Sequence, residues 1–426
     1  NIFKISATIG MVEWHSSKRQ CYMIDNEEFD GKSFCTLPFI HLATHPIGTV
    51  TPCCITDMTD DMSTAKKGGL NVFLDKDSLV DITNSNNFNN IRKQMLNGEF
   101  PAECKTCYFH EKNKVYSKRM ESNLKFKHLF EHAHSNTNPD GSLKELDYRY
   151  IELRLGTVCN LKCVTCNPFS SNRWNEDVSV FKDTEFEKNY FKCDIRTEWF
   201  RSTRFYDELY EKCPKLEEVW INGGEPTLIR EHGYFLQKLI DSGRSKDINL
   251  HYSINMTQMP DEFIEMWKKF KHVRLHLSID DLEERNDYIR TGSKWPVIFD
   301  NFLKIIEFKD IFRIEVCQTV SCLNVYNIDN FKEFTNKYNV IVAHNYVHHP
   351  SFMHVSVLPK EIKDKIILNI KHLNNFELDR LKAELYAEID PLEFDKFKNF
   401  IYLLDKKRNV EIRNYLKEYG EFLFWD

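Results

Sequence analysis

The sequence contains no uninterrupted apolar run approaching the roughly 18 residues that a membrane span needs. Its start, NIFKISATIGMVEWHSSKRQ, has too short an apolar core for a secretory signal, so a cytoplasmic chain with no membrane partner is expected. An excess of positive charge is also missing: 58 Lys and Arg against 64 Asp and Glu give a net charge of −6. With no evident Lys/Arg patch, a chain-wide grip on nucleic acid or anionic lipid is disfavoured. Internal repeats and low-complexity tracts are lacking, and neither a collagen-like nor a disordered composition fits. What remains is a 426-residue chain, 42% hydrophobic and 29% charged, long enough for about three domains with a real core.

Thirteen cysteines are present, at 21, 35, 53, 54, 104, 107, 159, 163, 166, 193, 213, 317 and 322. The odd count, the clustering and the absence of an export signal favour metal or cluster ligation over disulfides. From residue 31 to about 118, turn formers (Pro38, Gly48, Pro52, Gly68, Gly69, Gly98, Pro101) surround the thiols. This predicts a small loop-rich module organised by metal, with one helix over residues 88–97. The polar stretch 132–142, HAHSNTNPDGS, reads as an inter-domain linker.

From residue 148 the pattern changes to short apolar strands separated by amphipathic helical segments. Strands are predicted at 148–155, 218–221, 248–254, 273–279, 314–320 and 340–342 with its extension. Six strands alternating with helices imply a parallel α/β sheet with right-handed crossovers, open or barrel-like, whose site sits at the carboxyl ends of the strands. Beyond about residue 350, Phe394, Phe397, Phe400, Ile401 and Leu404 follow helical spacing, as do residues between 412 and 423. A helical tail is expected, its aromatic stripe serving as packing.

Directly after the first predicted strand comes Cys159-Asn-Leu-Lys-Cys163-Val-Thr-Cys166. Three thiolates within eight residues can hold three irons of a 4Fe-4S cube and leave the fourth without a protein ligand. A structural zinc site closes its coordination with a fourth ligand, and none lies at the expected spacing. The loop and its strand context resemble the signature of the radical S-adenosylmethionine (radical SAM) superfamily. The resemblance implies a partial (β/α)6 TIM-like barrel over 148–348. It also implies a cluster whose open iron is chelated by S-adenosylmethionine, and reductive cleavage of that cofactor to a 5′-deoxyadenosyl radical that abstracts hydrogen. Thr165 departs from the pattern, which usually has an aromatic residue there, and weakens the expected contact to adenine.

Further positions extend the resemblance. Gly223-Gly224-Glu225-Pro226 after Asn222 looks like the family's GGE motif, in which backbone carbonyls approach an ammonium and Glu225 accepts a charge or orders the turn. Ser253 and Asn255 end the third strand and either reach the same cavity or cap it. By resemblance, Ser278 binds ribose or carboxylate and Arg290 pairs with the cofactor carboxylate. Asp280 assists or pairs with a cation, and Gln318 and Ser321 on the fifth strand face cofactor or substrate.

In the amino-terminal part, Cys35-x12-Gly48-x4-Cys53 followed by Cys104-x2-Cys107 resembles the SPASM auxiliary-cluster domain in its shortened twitch form. That domain usually follows the barrel; here, over residues 1–130, it precedes it. Cys35, Cys53, Cys104 and Cys107 suffice for a second 4Fe-4S cluster, with Cys54 able to replace Cys53; structural zinc on the same thiols is the rival. His41 and His45 lie nearby as possible ligands. Cys21 has no partner at a recognisable spacing. Cys193, Cys213, Cys317 and Cys322 read as small packed hydrophobes, with hydrogen-atom donation or substrate binding open to Cys317 and Cys322. His348 and His349 read as a surface loop, and residues 349–426 as the helical extension.

The resemblance thus implies an oxidoreductase or radical-based modifying enzyme fed by a low-potential donor of the flavodoxin or ferredoxin type. A peptide or protein is the first substrate class, then a small metabolite, then a nucleotide or nucleic acid. A non-catalytic zinc-held scaffold is the alternative from another class.

Overall fold

A computed structural model describes residues 32–56, 63–113, 115–190 and 198–419. Cys21 and Cys193 lie outside these residues. The described chain forms ten strands: β1 (His41–Thr44), β2 (Val50–Thr51), β3 (Lys66–Lys67), β4 (Leu70–Asn71), β5 (Tyr150–Leu155), β6 (Glu218–Gly223), β7 (Asn249–Ile254), β8 (His272–Ser278), β9 (Phe312–Val320) and β10 (Ile341–Tyr346). β3 and β4 make a separate hairpin, and the other eight form one sheet in the order β10-β9-β8-β7-β6-β5-β1-β2. All six predicted strands are present as β5 to β10, and all pair in parallel.

Period-two alternation sorts each strand into two faces. Ile151, Leu153, Val219, Ile221, Leu250, Tyr252, Leu275, Leu277 and Val316 face one way. They pack against apolar residues of the crossover helices, including Phe205 and Leu209, Phe235 and Leu239, Phe263 and Trp267, and Phe302. The intervening residues, among them Tyr150, Glu152, Trp220, Asn222, His251, His276, Glu315 and Cys317, occupy the opposite face. That face is polar and ionisable even though most of it is buried.

The amino-terminal module is joined to this sheet. β1 runs parallel to β5, with Leu42 opposite Ile151 and Ala43 opposite Glu152, and β2 returns antiparallel at the edge. The predicted helix spans Asn86–Leu96. The stretch read as a linker is tied down instead: it carries a helix over Phe130–Ser135, a bridge between Thr137 and Leu143, and a Gly141 carbonyl that accepts from the buried Arg92 Nε at 2.6 Å.

Beyond β10 the chain is helical, with helices at Lys360–Asn369, Asn375–Leu385 and Leu392–Arg408. Phe397, Phe400, Ile401 and Leu404 are buried as the spacing predicts. Phe400 stacks on Phe181 at 5.1 Å within a cluster holding Trp174, Phe186, Tyr190 and Phe352. This stripe is packing: it fastens the tail over the segment that follows the cysteine loop.

Candidate functional site

The cysteine loop leaves the carboxyl end of β5 and is held from three sides. Lys162 N–H donates to the Thr291 carbonyl at 2.9 Å and Val164 N–H to Ile289 at 2.7 Å. Trp174 Nε1 donates to the Cys163 carbonyl at 2.9 Å. From the last helix, Arg408 donates to Asp177 Oδ2, to Thr291 Oγ1 and to the Lys162 carbonyl, at 2.8, 2.9 and 2.8 Å, while its guanidinium lies over the Trp174 ring. No local pattern in the sequence announces this clamp.

Inside the loop the three thiols share one environment. Burial pushes Cys163 up to about 11, with Arg290 acting to lower it and Asp280 and Cys159 to raise it. Burial also raises Cys166, helped by the charges of Cys163 and Cys159, and raises Cys159. Three half-buried thiols that feel one another, with a guanidinium beside them, are suited to a cationic group that keeps them as thiolates. Arg290 is held by Asp280 at 2.9 Å through Nη1. Its Nε is buried and has no hydrogen-bond partner among the described residues. An orphaned guanidinium donor beside three thiols fits the carboxylate of a bound S-adenosylmethionine.

The Gly-Gly-Glu segment crosses directly over the loop's first residues. Gly223 has φ +140°, and a Cβ on it would stand 2.6 Å from the Leu155 nitrogen; a Cβ on Gly224 would collide with the Val158 carbonyl. Glu225 N–H donates to that same carbonyl at 2.8 Å. Glu225 itself is buried, accepting at Oε1 from Thr227 N–H and Oγ1 at 3.0 and 2.6 Å, and at Oε2 from Asn255 N–H at 2.6 Å. Of the two roles open to it, it orders the turn, and burial raises its pKa. Pro226 begins the short 3-10 turn that follows.

The remaining predicted positions divide. Asn255 stays at the loop, with Nδ2 donating to Asn160 Oδ1 at 2.9 Å and lying 3.8 Å from Cys159 Sγ. Asn160 was not anticipated from sequence. Ser253 and Ser278 close β7 and β8 on the polar face, half-buried. Gln318 turns away from it: Nε2 donates to the Asp280 carbonyl and Oε1 meets His344 Nδ1, at 2.9 and 2.7 Å. Ser321 is also fully buried and accepts from Leu323 N–H at 3.2 Å, capping a turn. These two are spent on joining strand ends, which corrects the expectation that they face cofactor or substrate.

In the amino-terminal module, Cys35, Cys53, Cys104 and Cys107 line one pocket together with Leu37, Thr56 and Arg119. Burial pushes Cys35 up to about 12 and Cys107 to about 11. Four thiols converging on one pocket are a donor set that a 4Fe-4S cluster can use. Cys54 does not line the cavity; it feels the Glu152 and Lys118 charges. His41 and His45 are buried elsewhere, on the Tyr150 carbonyl and on Thr51 Oγ1, both at 3.0 Å. Cys213 and Cys322 are fully buried as expected, and Cys317 is half-buried on the polar face.

Two family models match the regions that hold the two groups of cysteines. The Radical SAM superfamily profile matches residues 153–337, and the SPASM iron-sulfur cluster-binding domain matches residues 35–108. No curated protein matches the chain. Among solved structures, native anSMEcpe with bound AdoMet and Cp18Cys peptide aligns at 16% identity over 52% of this chain and 58% of that one, with a TM-score of 0.33. Streptococcus suis SuiB aligns at 13% over 75% and 63%, also at 0.33. TYW1 with a lysine-pyruvate adduct aligns at 17% over 57% and 77%, at 0.29. The matched region spans about three-fifths of anSMEcpe and of SuiB. Such a domain pair carries a 4Fe-4S cluster with S-adenosylmethionine and auxiliary iron-sulfur, which displaces the zinc-held scaffold. The chain carries a radical SAM superfamily domain over residues 153–337, preceded by a SPASM iron-sulfur cluster-binding domain over residues 35–108.

Proposed function

We propose that this enzyme abstracts hydrogen from a peptide or protein held against the polar face of the sheet, between the two cysteine sites. The observation that carries this reading is a pair of unsatisfied polar atoms on β6. Trp220 Nε1 and Asn222 Oδ1 are buried and have no hydrogen-bond partner among the described residues. One is a donor and the other an acceptor, two residues apart on one face of a strand, which complements the C=O and N–H of a peptide group. Around them, Glu152 accepts from Asn222 Nδ2 at 3.3 Å, and Trp220 stacks on His251 at 5.0 Å. The face therefore offers a carboxylate and an aromatic plane.

Cys159, Cys163 and Cys166 hold the first cluster, and Cys35, Cys53, Cys104 and Cys107 the auxiliary one. When bound, the first cluster and S-adenosylmethionine supply a 5′-deoxyadenosyl radical. Arg290 takes the cofactor carboxylate while Asp280 fixes the guanidinium. Glu225 holds the glycine turn against the loop, and Asn255 and Asn160 brace Cys159. Ser253 and Ser278 line the polar face at the strand ends. Electrons come from a flavodoxin- or ferredoxin-type donor, and the many free thiols suit a reducing compartment such as the cytoplasm.

The test is stimulation of 5′-deoxyadenosine formation by a defined peptide library against a panel of small polyols and nucleosides. Stimulation by peptides, with a KM raised at least tenfold in Trp220→Phe, is expected. Stimulation by polyols or nucleosides alone would overturn the peptide reading.

A further inference from the structure

We infer that His348, His354 and Glu384 form a separate site for a divalent transition metal of the zinc class. His348 and His354 lie six residues apart, and Glu384 comes thirty residues later. His348 follows β10 by two residues, His354 lies between two 3-10 turns, and Glu384 is in the last turn of Asn375–Leu385. Their ligand atoms all fall within 4.8 Å of one another. His354 Nε2 is 3.1 Å from Glu384 Oε2, and His348 Nε2 is 4.0 Å from the same oxygen, with the two imidazole rings stacked at 5.0 Å. Nitrogen and oxygen donors on one tetrahedral zinc are about 3.3 Å apart. One pair already meets that separation, and His348, 60% exposed, has room to close the other.

The surroundings are those of a ligand set. Ser356 N–H donates to His354 Nδ1 at 3.2 Å and Ser356 Oγ lies 2.7 Å from the same nitrogen, which orients the ring with Nε2 toward the carboxylate; ligation through Nε2 moves the ring proton to Nδ1, where Ser356 Oγ can accept it. Glu384 Oε1 is 3.9 Å from Arg380 Nε, and Arg380 is itself anchored on the His344 carbonyl at 3.1 Å. Two imidazoles and a carboxylate are borderline donors that select zinc-like ions over calcium or magnesium. A carboxylate in the last turn of a helix also sits at the negative end of the helix dipole, where a nearby cation is favourable. The half-open position leaves the remaining coordination to water. His348, read from sequence as part of a surface loop, thereby acquires a role.

The test uses the full chain, reconstituted anaerobically with iron and sulfide and then equilibrated with zinc chloride. Zinc content is measured by mass spectrometry, affinity by chelator competition, and the ion's surroundings by zinc-edge X-ray absorption, which the iron does not obscure. One zinc per chain with a nitrogen and oxygen shell including imidazole is expected, and H348A and E384Q should each weaken binding about 100-fold. Because His348 is exposed, H348A keeps the fold. A shell containing sulfur, unchanged affinity in H348A, or no zinc retained would overturn the site.

Discussion

Glu225 shows how a motif can be legible while its task is not. Sequence alone suggests a charged acceptor or a turn former, and only the structure shows both oxygens occupied by Thr227 and Asn255. The flanking glycines follow the same logic, because their missing Cβ atoms let the turn lie on the backbone of residues 155–158. Gly224→Ala should therefore destabilise the protein by about 1–3 kcal/mol, measured by anaerobic chemical unfolding. A wild-type midpoint would contradict the close approach. Cys53 and Cys54 are indistinguishable in sequence because adjacent thiols share every spacing argument; the cavity wall separates them. Cys53→Ser should lose about four irons per chain and Cys54→Ser none, read by iron analysis after reconstitution. Equal loss from both would contradict the assignment.

At the level of elements, the six strands of the barrel were legible because apolar residues alternate with polar ones between turn signals. β1 was not, since HLAT is four residues long and sits among Pro38, Pro46 and Gly48, which read as loop. Its place beside β5 is decided by long-range pairing that local pattern cannot carry. The Arg408 clamp was hidden for the same reason, its Lys162 contact spanning 246 residues. Arg408 and Asp177 are both nearly fully buried. Removing one partner leaves the other charge unpaired, so Arg408→Ala should cost about 3–5 kcal/mol. It should also speed amide exchange in residues 159–166, as followed by hydrogen-exchange mass spectrometry. Unchanged exchange there would contradict a clamp between tail and loop.

Over the whole molecule, the amino-terminal module and the barrel share one sheet, so the two cysteine sites are built on a common frame. The frame has a pH signature. Burial holds His41, His45 and His344 down at about 3 and His232 at about 4. Their folded pKa values lie below the unfolded value near 6.5, so the unfolded chain binds more protons as pH falls below about 6.5. Stability is full above that pH and declines toward pH 4, by up to ~1.4 kcal/mol per pH unit for each histidine. Urea unfolding between pH 7.5 and 5 should show the decline; a flat profile would mean these histidines protonate in place.

The central claim is that the loop after β5 carries a cluster that cleaves S-adenosylmethionine. The most direct measurement is 5′-deoxyadenosine formed by the anaerobically reconstituted enzyme with dithionite and S-adenosylmethionine. The account predicts product from the wild-type chain and none when Cys159, Cys163 and Cys166 are replaced by Ala. No product from a chain shown to hold its full iron and sulfide, or equal product from the triple variant, would contradict it.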